Sequence, residues 1–284
     1  MDPVEIQTSI TLFKQAIAAF GFGLVLERRP NDTVGVFGGE EIDDGATTTF
    51  TAGTGDTVVS TQTGIFNTSM WRFTVTALAD NGVCAYYNFP AGSLPDWSEL
   101  AVSAGTINLL IKSNLALAAG DLLFATGMDG VDLKTTPDKV DVPAIVVNTW
   151  TYVQIPMTTA AIDLVDLLSY GFICGKGAGL TAVIDVQWIG MSVGTNYDFT
   201  GIGKNDEARN DDTCEIGDDI TVLARGHINA EIGAAVTCVA TQPLYPAPGT
   251  GKLSTTAISY PSTYRQIRAT EDQLVAGTQT GVML

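Results

Sequence analysis

The side chains that could catalyse a reaction are few. The single histidine, His227, lies between strand-like residues in LARGHINAE, and no G-x-S-x-G turn supplies a nucleophile beside it. We therefore expect a surface or turn histidine rather than a general base. Asp185 lies in the middle of VIDVQW, opposite the apolar face, so we expect it to be exposed or paired. Other carboxylates are so numerous that any pairing is uninformative, and the sequence predicts no enzyme.

Metal-binding and phosphate-binding residue types occur, but not at the spacings that such sites need. One acidic stretch lacks the D-x-[DN]-x-[DN]-G spacing of a calcium loop and is interpreted as a solvated loop. Its carboxylates are Glu40, Glu41, Asp43 and Asp44. The glycine-rich runs GKGAG (175–179) and GIGK (201–204) fit neither a P-loop nor a dinucleotide fingerprint and are interpreted as turns. No metal and no cofactor is expected.

The cysteines are widely spaced and form no C-x-x-C pair. They are Cys84, Cys174, Cys214 and Cys238. With one histidine in the chain, a Cys/His zinc site is poorly supplied. We expect buried free thiols. A disulfide between two of them stays open, because spacing does not decide connectivity.

Aromatic residues are the remaining candidates for ligand contact, since their flat faces can stack on sugars and other flat ligands. Three tryptophans lie in strand-like segments with apolar neighbours and are expected in the core: Trp71, Trp150 and Trp188. Trp97 lies in the loop SLPDWSEL, near Tyr86 and Tyr87. These last three are the candidate ligand-binding residues, with a packed loop anchor as the alternative for Trp97.

Short strands must position these residues. The chain has 284 residues, of which 45% are hydrophobic and 30 are glycine, and its Val, Ile, Thr and aromatic runs are broken by Gly, Asn and Asp. Many short strands with frequent turns favour a sandwich or barrel. The organising stretch runs from Ile107 to Met191. In its closing segment, a period of two places Ile184, Val186 and Trp188 on one face, opposite Asp185.

The amino terminus has the pattern of a helix. Asp2, Pro3 and Glu5 suit a helix start. An apolar stripe with helical spacing follows, and glycines then end it. The stripe is predicted to pack on its own domain or, alternatively, on a neighbouring subunit. Its residues are the candidate oligomer or shell contacts: Ile6, Ile10, Phe13, Ile17 and Phe20.

Composition shifts divide the chain and limit its partners. The polar stretch 196–219 has little periodicity. We predict an N-terminal helix and lead-in (1–30), a β-sandwich (31–196) and a small β-rich domain (197–284). A net charge of −17 disfavours nucleic acid and anionic membranes. No secretory signal is visible, and the apolar run 16–26 is too short to cross a bilayer.

Two resemblances carry the functional prediction. The segments INLLIKSN, NTWTYVQIPM and AVIDVQWIGM make residues 50–193 resemble the galactose-binding-like jelly rolls of many carbohydrate-binding modules. This resemblance implies a core position for Trp150. The run GDDITVLARGHINAEIGAAVTCVATQPLYPAPGTGKLST makes residues 210–284 similar to the small β-domains of capsid-decorating and head-fibre proteins of tailed bacteriophages. Those proteins stabilise the outer capsid lattice or display an extra domain.

Together the resemblances predict a mainly β protein. We expect a jelly-roll β-sandwich, a smaller C-terminal β-barrel or sandwich, and a short N-terminal α-helix. The implied function is that of a phage virion protein that decorates or stabilises the capsid. A carbohydrate-binding module and a tail or baseplate component are the alternatives. The implied partners are capsid or other virion proteins, further copies of the chain and a host surface glycan. The implied location is the virion surface, after synthesis in the host cytoplasm.

Overall fold

The structure is a computed structural model. It describes most of the chain between residues 69 and 192 and shorter stretches on either side. The described residues are 10–16, 20–21, 24–29, 33–37, 40–43, 50–53, 57–63, 69–102, 105–128, 133, 137–157, 164–192, 199–204, 213–214, 219–233, 236–260, 266–273 and 279–284.

The regular elements of the described residues are all strands except for one short helix, α1 (Ser98–Val102). This confirms the mainly β prediction. No helix in the described ranges is long and apolar enough to cross a membrane. The first twelve strands are β1 (Ile10–Ala16), β2 (Phe20–Gly21), β3 (Val25–Arg29), β4 (Thr33–Val36), β5 (Glu40–Asp43), β6 (Thr51–Ala52), β7 (Thr57–Thr63), β8 (Ser69–Leu78), β9 (Val83–Asn88), β10 (Thr106–Ser113), β11 (Leu122–Met128) and β12 (Asp138–Asp141). The remaining strands are β13 (Trp150–Pro156), β14 (Leu167–Cys174), β15 (Leu180–Ser192), β16 (Phe199–Lys204), β17 (Thr213–Cys214), β18 (Asp219–Arg225), β19 (His227–Glu231), β20 (Pro243–Pro246), β21 (Leu253–Ser254), β22 (Ile258–Ser259), β23 (Ile267–Ala269) and β24 (Gln279–Met283).

The chain divides into two compact units. The first, which we call the barrel unit, contains Met1–Gly39, Asn196–Ala257 and Ser262–Leu284. The second, the sandwich unit, contains Glu40–Thr195 and Ile258–Pro261. The sandwich unit therefore includes four residues from the C-terminal part of the sequence.

The sandwich unit is a jelly-roll β-sandwich. Its larger sheet has the order β22-β13-β10-β15-β8-β7, with β5 also paired to β15, and its smaller sheet has the order β12-β11-β14-β9-β6. The described pairings are antiparallel except for that of β22 with β13. Alternate residues of both sheets fill one apolar core, as the period of two requires. Core residues from the two sheets include Trp71, Phe73, Leu109, Val153, Ile184, Phe124, Tyr170 and Phe172.

A bulge in β15 changes the face that the end of this strand presents. Ile111 pairs with Val186, but Leu110 pairs with Trp188, so Gln187 is an extra residue. Ile184, Val186 and Ile189 all belong to the core. Trp188 instead shares the outer face with Leu110. The prediction that Trp188 lies on the same face as Ile184 and Val186 is therefore wrong, because the extra residue shifts the alternation by one.

The barrel unit contains a closed barrel with the strand order β1-β18-β16-β3-β4. β1 and β4 pair in parallel, and the other described pairs of the barrel are antiparallel. A five-stranded sheet (β19-β24-β23-β20-β21) and the pair β17-β2 complete this unit. The barrel thus combines strands from both ends of the sequence.

The predicted N-terminal helix is wrong for the described residues. Residues 10–16 form β1, which pairs with β18 from Ile10↔Arg225 to Gln15↔Asp219, and Phe20 belongs to β2. Pairing with β18 completes the barrel, and this tertiary contact outweighs the helical spacing of the apolar residues. Ile6 and Ile17 lie outside the described residues.

Candidate functional site

The three aromatic residues predicted to bind a ligand lie on different faces of the smaller sheet. Tyr87 and Trp97 are on the core side, and Tyr86 is on the outer side. Neighbouring residues of a strand point to opposite faces, so Tyr86 and Tyr87 cannot act together on one ligand. The structure therefore separates the predicted set.

Trp97 is a packed loop anchor. It is 6% exposed, and its ring centroid lies 5.9 Å from that of Phe89 and 5.7 Å from that of Tyr170. Its backbone N–H donates a 2.8 Å hydrogen bond to the carbonyl of Leu164. Tyr87 joins the same aromatic group, 5.4 Å from Phe89 and 5.7 Å from Tyr170. These contacts hold the loop before α1 against the core.

Tyr86 lies on a surface that crosses the whole smaller sheet. Five strands contribute one residue each to a single row, in which Thr51 pairs with Tyr86, Tyr86 with Gly171, Gly171 with Ala125, and Ala125 with Lys139. The next row on the same face pairs Asn88 with Ser169 and Ser169 with Gly127. We call this surface the Tyr86 face. Its residues are Thr51, Tyr86, Asn88, Ala125, Gly127, Lys139, Ser169, Gly171 and Ile173.

The floor of the Tyr86 face is apolar and buried. Tyr86, Ala125 and Ile173 form a small buried cluster with Leu133, which is 2% exposed. A Cβ at Gly171 would collide with the carbonyl oxygen of Ala85 and would lie 2.9 Å from Leu133 Cδ1. Glycine is therefore required at this position, because both the neighbouring strand and Leu133 approach closely.

Polar groups surround this floor. Lys139 is exposed, and its Nζ donates a 2.6 Å hydrogen bond to Asn81 Oδ1. Asn81 has a positive φ of 61°, and its N–H donates to the carbonyl of Cys174 at 2.8 Å. Asn88 is exposed at the opposite edge. The buried hydroxyl of Ser169 finds no hydrogen-bond partner among the described residues. Exposed amide and ammonium groups thus border the apolar floor, whereas the Ser169 hydroxyl is buried with it.

The outer face of the larger sheet carries a charged cluster around Asp185. Arg72 donates from Nε to Asp185 Oδ1 at 2.7 Å and from Nη2 to Oδ2 at 3.0 Å. Lys112 Nζ lies 3.2 Å from Oδ2 and 4.9 Å from the centre of the Trp150 ring. The hydrogen bond to Asp185 raises the pKa of Arg72. Asp185 is therefore paired, the second of the two predicted states, and serves as an anchor for two cations.

The tryptophans predicted for the core are all buried. Trp71 is 0% exposed and lies between the sheets, whereas Trp150 and Trp188 are 5% and 6% exposed and lie on the outer face of the larger sheet. Tyr152 lies on the same outer face, with its ring 6.0 Å from that of Tyr260. This aromatic face is closed to solvent, whereas the Tyr86 face carries the exposed side chains of Thr51, Asn88 and Lys139.

The other residues considered for chemistry fall in ordinary structural positions. His227 is exposed in β19, as expected of a surface histidine. The 175–179 run is a turn, in which the N–H of Gly179 donates to Lys176, but 201–204 belongs to β16 and is not a turn. Three cysteines are buried free thiols as predicted: Cys84, Cys174 and Cys238.

The acidic stretch is partly a strand. Glu40–Asp43 forms β5, which pairs with β15, so the interpretation as a loop is wrong there, and Asp44 lies outside the described residues. No group of three potential metal ligands occurs among the described side chains.

Sequence reasoning identified Tyr86 but missed its neighbours. Asn88, Lys139, Ser169 and Gly171 come from three different strands, and only strand pairing brings them together. One local signal was present. A glycine inside the strand-like segment LLSYGFIC indicates a close approach by another part of the protein, and Gly171 has one.

Comparisons with known proteins give weak likenesses in structure. No protein-family model and no curated protein matches the chain. The xylan-binding CBM22-1 domain of Paenibacillus barcinonensis Xyn10C is 14% identical with a TM-score of 0.37, covering 56% of this chain and 97% of that domain. The family 11 carbohydrate-binding module of Clostridium thermocellum Lic26A-Cel5E is 18% identical with a TM-score of 0.37. That match covers 57% of this chain and 97% of the module.

A larger protein gives a similar score. An exo-β-agarase is 10% identical with a TM-score of 0.36, and the match covers 57% of this chain but 25% of the agarase. The chain therefore spans about a quarter of that enzyme's length. Since identities and scores are low in all three cases, we infer function from this chain's own residues.

Proposed function

We propose that this protein is a non-catalytic carbohydrate-binding protein whose sandwich unit contacts the sugar through the Tyr86 face. One observation supports this above all: the exposed polar side chains of Thr51, Asn88 and Lys139 lie together on one face of the smaller sheet. Sugars have apolar C–H faces and hydroxyls that both donate and accept hydrogen bonds. The exposed hydroxyl, amide and ammonium groups of this face match the donors and acceptors of a sugar.

The charge of the chain favours a neutral glycan. The net charge of −17 repels polyanions over long distances, so sulfated or uronic-acid polymers would meet an opposing field. Lys139 supplies hydrogen-bond donors at the edge, and its bond to Asn81 holds the ammonium in place. Tyr86 is 7% exposed, so it offers a sugar only a small contact area. The contact is shallow, and we expect weak binding that gains from many copies on one polymer.

The described residues near the Tyr86 face do not suit glycoside hydrolysis. That reaction needs two carboxyl groups on either side of the scissile bond. Asp141, which pairs with Leu123, is the carboxylate that the described part of the smaller sheet places beside this face. Asp185 is on the other sheet and is held by Arg72 and Lys112. Binding without catalysis remains the prediction for this chain.

Affinity electrophoresis through gels that contain neutral polysaccharides tests the proposal. Xylan, agarose and a mixed-linkage glucan form the panel, and a glycan array extends it. We expect the wild-type protein to be retarded by at least one polymer. The double variant Asn88→Ala/Lys139→Ala changes exposed residues and should lose this retardation with its fold intact.

Arg268→Ala, which removes an exposed cation from the barrel unit, is the matched control and should migrate like the wild type. Equal retardation of the double variant and the wild type would place the sugar elsewhere. No retardation by any polymer, with no array signal, would reject carbohydrate binding.

A structural role in a phage particle is the second candidate, and the likeness of residues 210–284 to capsid-decorating proteins supports it. The two roles are compatible, since a sandwich displayed on a particle could contact a host glycan. Mass spectrometry of gradient-purified particles tests the second role. The protein should band with the particles at a stoichiometry that matches a capsid, fibre or baseplate position. Its complete absence from them would reject this candidate.

A further inference from the structure

The edge of the larger sheet is covered by a segment that is remote in sequence. β22 pairs in parallel with the start of β13, with Ile258 opposite Trp150 and Ser259 opposite Thr151. We call residues 258–260 the strap. Ile258 is 4% exposed, and the ring of Tyr260 lies 6.0 Å from that of Tyr152. The strap therefore fills a strand position and contributes an apolar and an aromatic side chain to it.

The connections of the strap differ from those of every other strand in this sheet. The residues on both sides of it, up to Ala257 and from Ser262, belong to the barrel unit, whereas Ile258–Pro261 belongs to the sandwich unit. Among the described residues, the contact joins the three consecutive residues of the strap to the first three residues of β13, Trp150 to Tyr152. Nothing in those contacts depends on whether the strap and β13 belong to the same copy of the chain.

We propose that the edge of β13 is a strand-addition site whose partner is the strap of a second copy of this chain. When the strap leaves β13 in one copy and pairs with β13 of another, the same backbone pairs and the same Ile258 and Tyr260 contacts form again. Their free energies therefore cancel between the closed monomer and the exchanged form. The balance then depends on chain concentration and on the freedom of the flanking residues, which favours exchange where copies are crowded.

The strap also defines the chemistry that this site accepts. It is an extended segment that runs parallel to β13. Its three residues are, in order, apolar (Ile258), small and polar (Ser259) and aromatic (Tyr260). Backbone pairing supplies affinity, and the positions of Ile258 and Tyr260 supply selectivity, as in other cases of strand addition.

Cysteine trapping tests this exchange. Paired positions of neighbouring strands lie about 5 Å apart, within the roughly 4.4–6.8 Å range between Cα atoms of a disulfide. Thr151→Cys and Ser259→Cys are made separately in a Cys214→Ser background, where the remaining native cysteines are the buried Cys84, Cys174 and Cys238. The two single variants are mixed at high concentration, oxidised and run on a non-reducing gel. We expect a band of doubled mass that reductant removes and that increases with concentration.

Three comparisons complete the experiment. Both changes in one chain give the internal disulfide at low concentration, and failure to form it would contradict the pairing on which the proposal depends. The pair Asn108→Cys and Gln154→Cys, from the neighbouring strands β10 and β13, should not link two chains when mixed as single variants. If the strap mixture also stays monomeric while the internal disulfide forms, exchange does not occur and the proposal is wrong.

Discussion

Replacement of Arg72 by methionine should destabilise the sandwich unit strongly, because Asp185 depends on it. The carboxylate is 3% exposed and receives two hydrogen bonds from Arg72, at 2.7 and 3.0 Å, and one ion-pair contact from Lys112 at 3.2 Å. Arg72→Met keeps most of the apolar stem of the side chain but leaves Asp185 with a single cation. The charge then stays buried with about a third of its former contacts.

The size of the effect follows from those contacts. A hydrogen bond to a charged group contributes about 1.5–3 kcal/mol, and breaking a buried ion pair from one side costs about 3–5 kcal/mol. The Arg72 side chain is 37% exposed, so part of its interaction is screened by water and the lower end applies. We expect Arg72→Met to lower the free energy of unfolding by about 3 kcal/mol. Lys112→Met removes one charged contact and one cation–π contact, and we expect about 2 kcal/mol.

Tryptophan fluorescence during urea unfolding measures the loss in free energy of unfolding of the sandwich unit. All four tryptophans, Trp71, Trp97, Trp150 and Trp188, belong to the sandwich unit and are buried. With a urea dependence of about 2 kcal/mol per molar, a loss of 3 kcal/mol lowers the midpoint by about 1.5 M. A double-mutant cycle of Arg72→Met with Asp185→Asn then isolates the energy of this pair from other contacts of Arg72.

Lys176→Met is the matched control. Lys176 and Lys112 are equally exposed, at 30%, but Lys176 contacts Asp121 at 3.5 Å, and that carboxylate is 21% exposed. An ion pair of this kind contributes about 0–1 kcal/mol. Two results would contradict this reasoning: an equal loss of unfolding free energy for Lys176→Met and Lys112→Met, or a loss below about 1 kcal/mol for Arg72→Met. Either would mean that burial of Asp185 does not determine how much its ion pairs stabilise the sandwich unit.

Three further predictions test other parts of the sandwich unit. Gly171→Ala should cost about 2–3 kcal/mol in urea unfolding, since the new Cβ meets the Ala85 carbonyl, whereas Gly177→Ala, in open space, should change little. Thr126→Val should stabilise the unit by about 1 kcal/mol in the same assay, because the hydroxyl of Thr126 is buried and finds no partner among the described residues; a loss of stability would contradict this. Cys174 should resist alkylation by iodoacetamide near pH 8 in the native state, because burial raises the pKa of its thiol, and mass spectrometry should detect its label only after unfolding.

Alternation in the sequence predicted the strands of the sandwich better than it predicted their faces. Thr151, Val153 and Ile155 do lie opposite Tyr152 and Gln154, because β13 pairs with β10 without interruption. β15 differs, since the bulge at Gln187 shifts every residue after it. A bulge depends on the register of two paired strands, so the sequence of one strand does not contain it.

The N-terminal strand shows a second limit of sequence reasoning. The helical spacing of Ile10 and Phe13 is present in the sequence, but ITLF also suits a strand. The choice between them is made by β18, more than 200 residues away, which pairs with β1 to close the barrel. Propensity in one segment cannot include a partner so remote in sequence. For the same reason the sequence could point to Tyr86 as a single residue, but it could not predict the strand pairings that place Tyr86 and Lys139 in one row across the smaller sheet.

The two outer faces of the sandwich have different chemical roles, and the bulge in β15 helps to explain why. β15 pairs with β10 from Ile184 to Ser192, and on its other side it pairs first with β8 and then with β5. The bulge at Gln187 lies where these partners change, and it turns Trp188 outward beside Leu110 and Tyr152. The outer face of the larger sheet thus carries that buried aromatic row, the buried Asp185 with its two cations, and the strap. The smaller sheet keeps small residues and exposed polar groups on its outer face instead. On the smaller sheet the exposed side chains are the polar ones of Thr51, Asn88 and Lys139, and for this reason we place sugar binding there.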